Sequence, residues 1–266
     1  MNNILVITGM HRSGTSLFTN HIFLGGAKKV GSLIEPDVGN PRGYYESQPI
    51  VHFHNKILKR NKVGYFFSRK NPQITYNRED VLEGKKILEV GTDRENSNLN
   101  PNIPFAFKDP RTCLFLPLWN EILSEKSPFF IFLFRHPLKV LESLLRRGTD
   151  KIITKDPLVG LNSWYIYNKR LYDFYLNHGE ISILIDINDF TENTLKFLPS
   201  LNQKFNLNLT RESLSEIFFK KEFKNGWIRP KVLLYSLKNP FLLTKCVILY
   251  YRIKKSSLKE FKTKQD

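Results

Sequence analysis

The chain has 266 residues, of which 41% are hydrophobic; this is enough for one substantial globular domain and excludes a disordered chain. Its formal net charge of +16 favours anionic partners, namely phosphates, sulfates, nucleic acid or a membrane surface. The two cysteines, Cys113 and Cys246, provide neither a disulfide framework nor a metal site.

Strands and helices alternate in the order of the predicted elements. The predicted strands cover residues 4–7, 104–108, 129–134 and 181–187. The predicted helices cover residues 13–24, 47–61, 114–125, 138–147 and 157–177, with a short helix near 79–89. Such alternation predicts a parallel sheet covered on both faces, which is an α/β fold of the three-layer α/β/α type.

Residues 1–227 are expected to form a single domain, in which the polar, weakly patterned stretch 64–102 is interpreted as a variable insertion. Residues 228–266 are predicted to form a basic, partly amphipathic helical extension with ten Lys and Arg against two acids. Cations recur every seven residues there, at Lys231, Lys238, Lys245, Arg252 and Lys259. Two alternatives stay open: a helix lying on an anionic membrane, or a helix packed on the domain with a solvated basic stripe. A transmembrane helix is not expected, because Lys245 and Arg252 interrupt the apolar run.

Residues 4–17, ILVITGMHRSGTSL, combine a buried strand, a glycine turn and the start of a helix. Such a turn presents unpaired backbone N–H groups and the positive end of the helix dipole, which form an anion cradle. The spacing Gly9-x4-Gly14 nearly matches a nucleotide-binding P-loop. However, Thr15 occupies the lysine position, and the nearest cation is Arg12.

A second anion site is predicted after the strand 129–134. Arg135 leaves the tip of this strand, Pro137 starts the next helix, and Ser143 lies in the second turn of that helix. An arginine fork with a serine hydroxyl suits a terminal phosphate. Taken alone, the same residues also fit an arginine paired with a carboxylate and a serine on a helix surface. Because ligands collect at the carboxyl ends of parallel strands, two phosphate sites there indicate a nucleotide phosphorylated at both ends.

These segments together resemble the PAPS-dependent sulfotransferase superfamily, where PAPS is 3′-phosphoadenosine 5′-phosphosulfate. Residues 12–16, Arg-Ser-Gly-Thr-Ser, are similar to its 5′-phosphosulfate loop, and Arg135, Pro137 and Ser143 are similar to its 3′-phosphate segment. Residues 9–16, 40–46 and 108–111 look especially like bacterial members. The resemblance covers about residues 3–150, extends less clearly to about residue 200, and implies a P-loop-NTPase-like sulfotransferase fold.

The chain also departs from the family pattern. Leu17 stands where cytosolic members often carry a tryptophan that stacks on adenine. Residues 108–110, Lys-Asp-Pro, lack the histidine base that those members place at this point. A glycine-rich C-terminal phosphate clasp is not evident, since residues 224–226 are too weak a match.

The resemblance implies roles for the loop residues. The backbone N–H groups of residues 12–16 hold the 5′-phosphate, so that Ser13 and Gly14 belong to the binding loop together with the hydroxyls of Thr15 and Ser16. Arg12 offsets charge on the leaving oxygen, and Lys108 approaches the sulfuryl oxygens. No metal is expected, because these cations do what magnesium does in kinases.

The acceptor still needs a base. Glu46 is the first choice, because it ends a loop rich in Gly, Pro and Tyr next to a helix start. The alternative for Glu46 is charge complementarity with that helix N-terminus. Asp109 is the second choice, and its alternative role is to orient Arg111 or Lys108.

The remaining polar residues receive weaker interpretations. His11 lies inside the cradle. Two interpretations stay open: its ring contacts the phosphosulfate, or it has no functional role. His52 and His54 are two residues apart on a helix, so surface positions are expected for both. Three arginines either line an acceptor cleft or form a solvated basic face: Arg111, Arg146 and Arg147.

The sequence therefore predicts a nucleotide-binding transferase, a PAPS-dependent sulfotransferase that acts on a hydroxyl or amine of a carbohydrate or other small biosynthetic acceptor. Adenosine 3′,5′-bisphosphate is the expected product. One alternative is a P-loop small-molecule or nucleoside kinase, and a second is a non-enzymatic basic nucleic-acid-binding protein. The first strand begins at residue 4, so no signal peptide is expected. The expected location is the cytoplasm, with peripheral contact at the inner face of the membrane through the C-terminal helix left open.

Overall fold

A computed structural model of the protein describes residues 3–36, 43–68, 71–93, 103–210 and 228–262. The strands are β1 (Ile4–Thr8), β2 (Lys28–Lys29), β3 (Phe105–Lys108), β4 (Pro128–Phe134) and β5 (Ser182–Asp186). The helices are α1 (Thr15–Leu24), α2 (Gln48–Arg60), α3 (Arg78–Asp93), α4 (Leu116–Ile122), α5 (Pro137–Arg147), α6 (Lys151–Lys155), α7 (Pro157–Asn177), α8 (Ile187–Glu192), α9 (Thr194–Phe205), α10 (Pro230–Leu237) and α11 (Pro240–Lys262). Short 3-10 turns cover Pro110–Leu114 and Gly179–Ile181.

The five strands form one parallel sheet in the order β2-β3-β1-β4-β5. β1 lies in the middle, where Ile4 is opposite Phe105 of β3 and Pro128 of β4. Every residue of β1 and β5 is buried, as strands covered on both faces require. β3 lies on one side of β1 and β4 on the other, so the strand order changes direction across β1. The carboxyl end of β1 is therefore at the kind of switch point where such sheets bind ligands.

Alternate strand residues point into two separate apolar layers. Val6, Phe107 and Phe132 belong to the larger layer, which also contains side chains of α2, α4, α5 and α7. Leu5 and Ile131 belong to the other layer, with side chains of α1, α8 and α9. The predicted three-layer α/β/α fold with a central parallel sheet is confirmed.

The structure also contains elements that the pattern did not predict: β2, α6, α8 and α9. β2 consists of two lysines without apolar alternation, and its extended conformation depends on pairing with β3. α4 begins two residues later than predicted, because residues 110–114 first form a 3-10 turn capped by the side chain of Asp109. The short helix expected near 79–89 runs from Arg78 to Asp93, and buries Val81 and Leu88.

The C-terminal helices pack on the rest of the domain. Cys246, Leu249 and Ile253 of α11 are buried in the larger apolar layer, and α11 contacts α7 and β5. The face of α11 that carries Cys246, Leu249 and Ile253 is therefore packed on the domain, as one of the two alternatives predicted. Within the described residues, no single helix is long and apolar enough to span a membrane. The consecutive helical segments Pro230–Leu237 and Pro240–Leu258 have the required length and hydropathy only when taken together, and their axes are bent by 110°.

Candidate active site

The turn between β1 and α1 depends on two glycines. A Cβ on Gly9 would lie 2.1 Å from the carbonyl oxygen of Leu133, so only glycine lets the turn pass this close to β4. Gly14 has φ +84°, and a Cβ there would lie 2.3 Å from Cγ1 of Ile187. Arg12 also adopts a left-handed conformation, with φ 68°. The turn thereby opens onto the first N–H groups of α1, which have no partner inside a helix.

Arg12 joins this turn to the second predicted anion site. Its Nε donates a hydrogen bond to Oγ of Ser143, 2.9 Å away. Ser143 is buried on α5, which begins at Pro137 directly after β4. Arg135, at the tip of β4, is also buried. The structure therefore brings Arg12, Ser143 and the end of β4 together at one edge of the sheet.

The guanidinium groups at this edge repel one another. Burial, and then the charges of Arg12 and Arg146, lower the pKa of Arg135 to about 10. Burial, followed by the charges of Arg147 and Arg146, also lowers the pKa of Arg12. A bound anion would stabilise this group of like charges, because it offsets the repulsion that contributes to these lowered pKa values.

Buried polar atoms beside the turn have no hydrogen-bond partner among the described residues. They include Oγ of Ser13 and Nε2 of His11. Burial, and then the charge of Arg111, lowers the pKa of His11 to about 3, so its ring is neutral near pH 7. A neutral imidazole does not add to the positive charge, and it offers one donor and one acceptor.

A loop ending in Glu46 covers the turn. The carbonyl oxygen of Tyr44 accepts hydrogen bonds from Oγ of Ser16 at 3.0 Å and from Nζ of Lys108 at 2.7 Å. The phenol oxygen of Tyr44 accepts one from Nη2 of Arg147 at 2.7 Å. Residues 40–42, the first three of the segment 40–46, lie outside the described residues. Residues 224–226 also lie outside them.

Glu46 and Lys108 form a buried ion pair at the end of β3. Nζ of Lys108 donates to Oε1 of Glu46 at 3.0 Å, and Nη1 of Arg111 lies 3.7 Å from Oε2. The side chain of Lys108 is 1% exposed and that of Glu46 9%. Both residues line a cleft, so the predicted catalytic pair lies together and faces a space that a ligand can enter.

Asp109 does not face this cleft. Its Oδ1 accepts from the backbone N–H of Arg111 at 3.0 Å and from Nη1 of the same residue at 2.9 Å, while Oδ2 lies 2.7 Å from Nδ1 of His54. Burial opposes ionisation of Asp109, but the charge of Arg111 and the bond from His54 outweigh it, so the pKa of Asp109 is well below its ordinary range. With both oxygens occupied, Asp109 fits the alternative role of orienting Arg111.

The surface position expected for His54 is wrong. His54 is fully buried, and its Nε2 accepts a hydrogen bond from Nε1 of Trp119 at 2.7 Å. This contact makes Nδ1 the protonated nitrogen, which donates to Asp109. The spacing held a usable signal, because His54 lies on the same helix stripe as Ile50 and Ile57. His52 is exposed, as expected.

The cleft has a volume of about 260 Å³. Its polar lining combines predicted loop residues with other charged side chains: Arg12, Thr15, Ser16, Glu46, Lys108, Arg111, Arg147 and Asp150. Tyr65 and Phe66 also line it, and their rings lie 5.4 and 5.5 Å from the ring of His11. Sequence reasoning missed both aromatic residues, because they lie in the stretch interpreted as a variable insertion and no motif marks them.

Comparisons with known proteins give limited similarity. No family model matches the chain. A probable serine/threonine-protein kinase of Dictyostelium discoideum is 30% identical over 235 residues, which covers 82% of this chain and 16% of that protein. The chain thus spans about a sixth of the length of that relative.

Solved structures with a similar arrangement include three sulfotransferases. The sulfotransferase domain from the curacin biosynthetic pathway has a TM-score of 0.47 at 15% identity, covering 91% of this chain and 98% of that one. The sulfotransferase domain from the Synechococcus PCC 7002 olefin synthase has a TM-score of 0.47 at 12% identity, covering 90% and 95%. Sulfotransferase STF1 from Mycobacterium tuberculosis H37Rv has a TM-score of 0.44 at 14% identity, covering 81% and 69%.

Proposed function

We propose that this protein is a PAPS-dependent sulfotransferase that acts on a hydroxyl or amine of a carbohydrate or other small biosynthetic acceptor. The observation that carries the proposal is the contact between Arg12 and Ser143. It joins the glycine turn after β1 to the segment after β4 in one cationic site. Two anion-binding segments that meet in this way suit a nucleotide with phosphate at both ends.

The residues present fit such a donor. The first N–H groups of α1 and the buried hydroxyl of Ser13 would hold the 5′-phosphate, with the hydroxyls of Thr15 and Ser16 beside them. Arg135 and Ser143 would hold the 3′-phosphate. When bound, PAPS supplies the sulfuryl group, and adenosine 3′,5′-bisphosphate is released.

The chain's own cations do the electrostatic work. Arg12 lines the cleft and can offset charge on the leaving oxygen, while Nζ of Lys108 is fixed by Glu46 and by the carbonyl of Tyr44. Because both side chains are already held, they stabilise developing charge without reorganising.

Glu46 is the proposed general base. Its carboxylate lines the cleft and accepts a hydrogen bond from Lys108, so an acceptor hydroxyl that enters the cleft can reach it. Glu46 would take the hydroxyl proton as the acceptor oxygen bonds to sulfur and the bond from sulfur to the 5′-phosphate oxygen breaks, which releases adenosine 3′,5′-bisphosphate. Asp109 holds Arg111, and Arg111 in turn lies 3.7 Å from Glu46.

One calorimetric titration tests the donor. We expect tight binding of adenosine 3′,5′-bisphosphate without magnesium, and much weaker binding of adenosine 5′-phosphate, which lacks the second phosphate. Radiolabelled PAPS with a panel of acceptors then identifies the acceptor.

Two alternatives give different results in that titration. A preference for Mg-ATP would indicate a kinase instead of a sulfotransferase. The P-loop-like spacing of Gly9 and Gly14 favours a kinase, whereas Thr15 in the lysine position does not. Salt-sensitive binding of oligonucleotides alone would indicate a nucleic-acid-binding protein instead.

A further inference from the structure

The outward face of the C-terminal helices exposes large apolar side chains. Phe241 is 70% exposed, Leu234 65% and Tyr251 61%. Among the side chains that the structure describes, the other large exposed apolar residues of α10 and α11 are Leu233, Leu237, Ile248 and Leu258. On α11, Phe241, Ile248, Tyr251 and Leu258 are spaced by seven, three and seven positions, so they lie along one side of the helix.

The opposite side of α11 is fixed to the domain. The hydroxyl of Tyr250 donates to Oδ2 of Asp186 at 2.9 Å, and Nζ of Lys254 lies 3.2 Å from the same oxygen. Asp186 is fully buried at the end of β5. Turning α11 to hide its apolar stripe would leave this carboxylate without these two partners, so the stripe stays directed outward.

The same face is strongly basic. Residues 228–258 contain seven Lys and Arg and no Asp or Glu. Lys254 is paired with Asp186 and Arg229 with Glu142, and the remaining five cations are exposed: Lys231, Lys238, Lys245, Arg252 and Lys255. Nζ of Lys245 lies 4.3 Å from the ring centre of Phe241, and Lys231 and Lys238 lie 5.6 and 5.3 Å from that of Tyr235. Exposed cations beside apolar and aromatic side chains suit an anionic bilayer surface, because long Lys and Arg side chains can reach the headgroups while apolar side chains enter the acyl boundary.

We propose that the outward face of α10 and α11 docks on an anionic lipid surface. Lipid headgroups match the charge, and the acyl boundary accepts the exposed Leu, Phe and Tyr side chains. A second copy of the chain fits less well, because it would bring two basic faces together. No described residue of α10 or α11 lines the cleft, so lipid binding by this face does not depend on the proposed sulfuryl transfer.

Vesicle cosedimentation of the full chain tests the proposal. We expect the protein to bind vesicles of phosphatidylcholine mixed with phosphatidylserine, and to bind vesicles of phosphatidylcholine alone far less. The double variant Lys245→Gln/Arg252→Gln should lower the partition coefficient about 30-fold. The triple variant Leu234→Ser/Phe241→Ser/Ile248→Ser should lower it by at least about 30-fold.

Matched controls use exposed residues on other helices. Lys59→Gln/Lys86→Gln on α2 and α3 controls for charge, and Leu82→Ser/Val90→Ser on α3 controls for apolar surface. Neither pair should change binding, and thermal unfolding shows that each variant is folded. No preference for phosphatidylserine, or equal losses in the controls, would overturn the proposal. A concentration-dependent dimer that the triple variant abolishes would overturn it in favour of self-association.

Discussion

Nε of Arg12 donates a hydrogen bond to Oγ of Ser143 at 2.9 Å, although 131 positions separate the two residues in the chain. β1 and β4 are adjacent parallel strands, with Thr8 opposite Phe132, so the segments that follow them leave the same edge of the sheet. The glycine turn after β1 and the first turns of α5 therefore form one site rather than two.

Ser143→Ala is expected to weaken binding of adenosine 3′,5′-bisphosphate. The variant removes one hydrogen bond to a charged group, so affinity should fall about 10-fold or more. Calorimetry measures the change.

Adenosine 5′-phosphate is the matched ligand for this variant, because it lacks the 3′-phosphate assigned to Ser143. Its affinity should change little. Equal losses for both nucleotides would mean that Ser143 acts only through Arg12, and the assignment of the 3′-phosphate to Ser143 would be withdrawn.

Glu46→Gln is expected to lower turnover by about 100- to 10,000-fold, because a general base contributes that much. The amide keeps the shape of the carboxylate and can still accept a hydrogen bond from Lys108. Affinity for adenosine 3′,5′-bisphosphate should therefore stay nearly unchanged. Turnover is measured with PAPS and an identified acceptor.

Asp109→Asn tests whether Asp109, rather than Glu46, is the general base. Both oxygens of Asp109 are bound by Arg111 and His54, so loss of its charge should lower the free energy of unfolding by about 3 kcal/mol. Measurable turnover should remain in the folded fraction. Full activity of Glu46→Gln together with an inactive, folded Asp109→Asn would show that Asp109 is the base.

Gly14→Ala is expected to destabilise the protein. The new Cβ meets Ile187 at 2.3 Å, and φ of +84° is unfavourable for any L side chain, so the free energy of unfolding should fall by about 2–5 kcal/mol. Denaturant unfolding measures the loss.

Gly148→Ala is the control for this substitution. Gly148 has φ +69°, but a Cβ there meets no atom within 4 Å, so only the backbone term of about 1–2 kcal/mol is expected. In a double-mutant cycle with Ile187→Ala, the combined loss should be smaller than the sum of the two single losses. Strict additivity would show that the clash with Ile187 is not the cause.

Stability is expected to fall as the pH drops below about 6.5. Burial lowers the pKa of His11 to about 3 and that of His21 to about 4, whereas in the unfolded chain both titrate near 6.5. Between these values the unfolded state binds more protons than the folded state, so the stabilisation is complete above pH 6.5 and is lost on acidification. Each histidine contributes a slope of up to about 1.4 kcal/mol per pH unit.

Denaturant unfolding at a series of pH values measures this slope. His21→Gln should reduce it by up to about 1.4 kcal/mol per pH unit. His52→Gln, at an exposed position on α2, is the control for the substitution itself. An unchanged slope in His21→Gln would contradict the assignment.

The sequence alone predicted the parallel sheet and most of the helices, because these features depend on local patterns, and it marked the two segments that we propose bind anions. Apolar runs, glycine spacing and helix starts such as Pro137 are determined by residues close in the chain. The role of Asp109 stayed open and the position of His54 was wrong, since both depend on the contact with Trp119 and Arg111 across different elements. Which residues meet in the cleft was likewise decided by strand register and side-chain packing. Arg12 and Ser143 were each visible in the sequence, but only the pairing of β1 with β4 brings them to 2.9 Å.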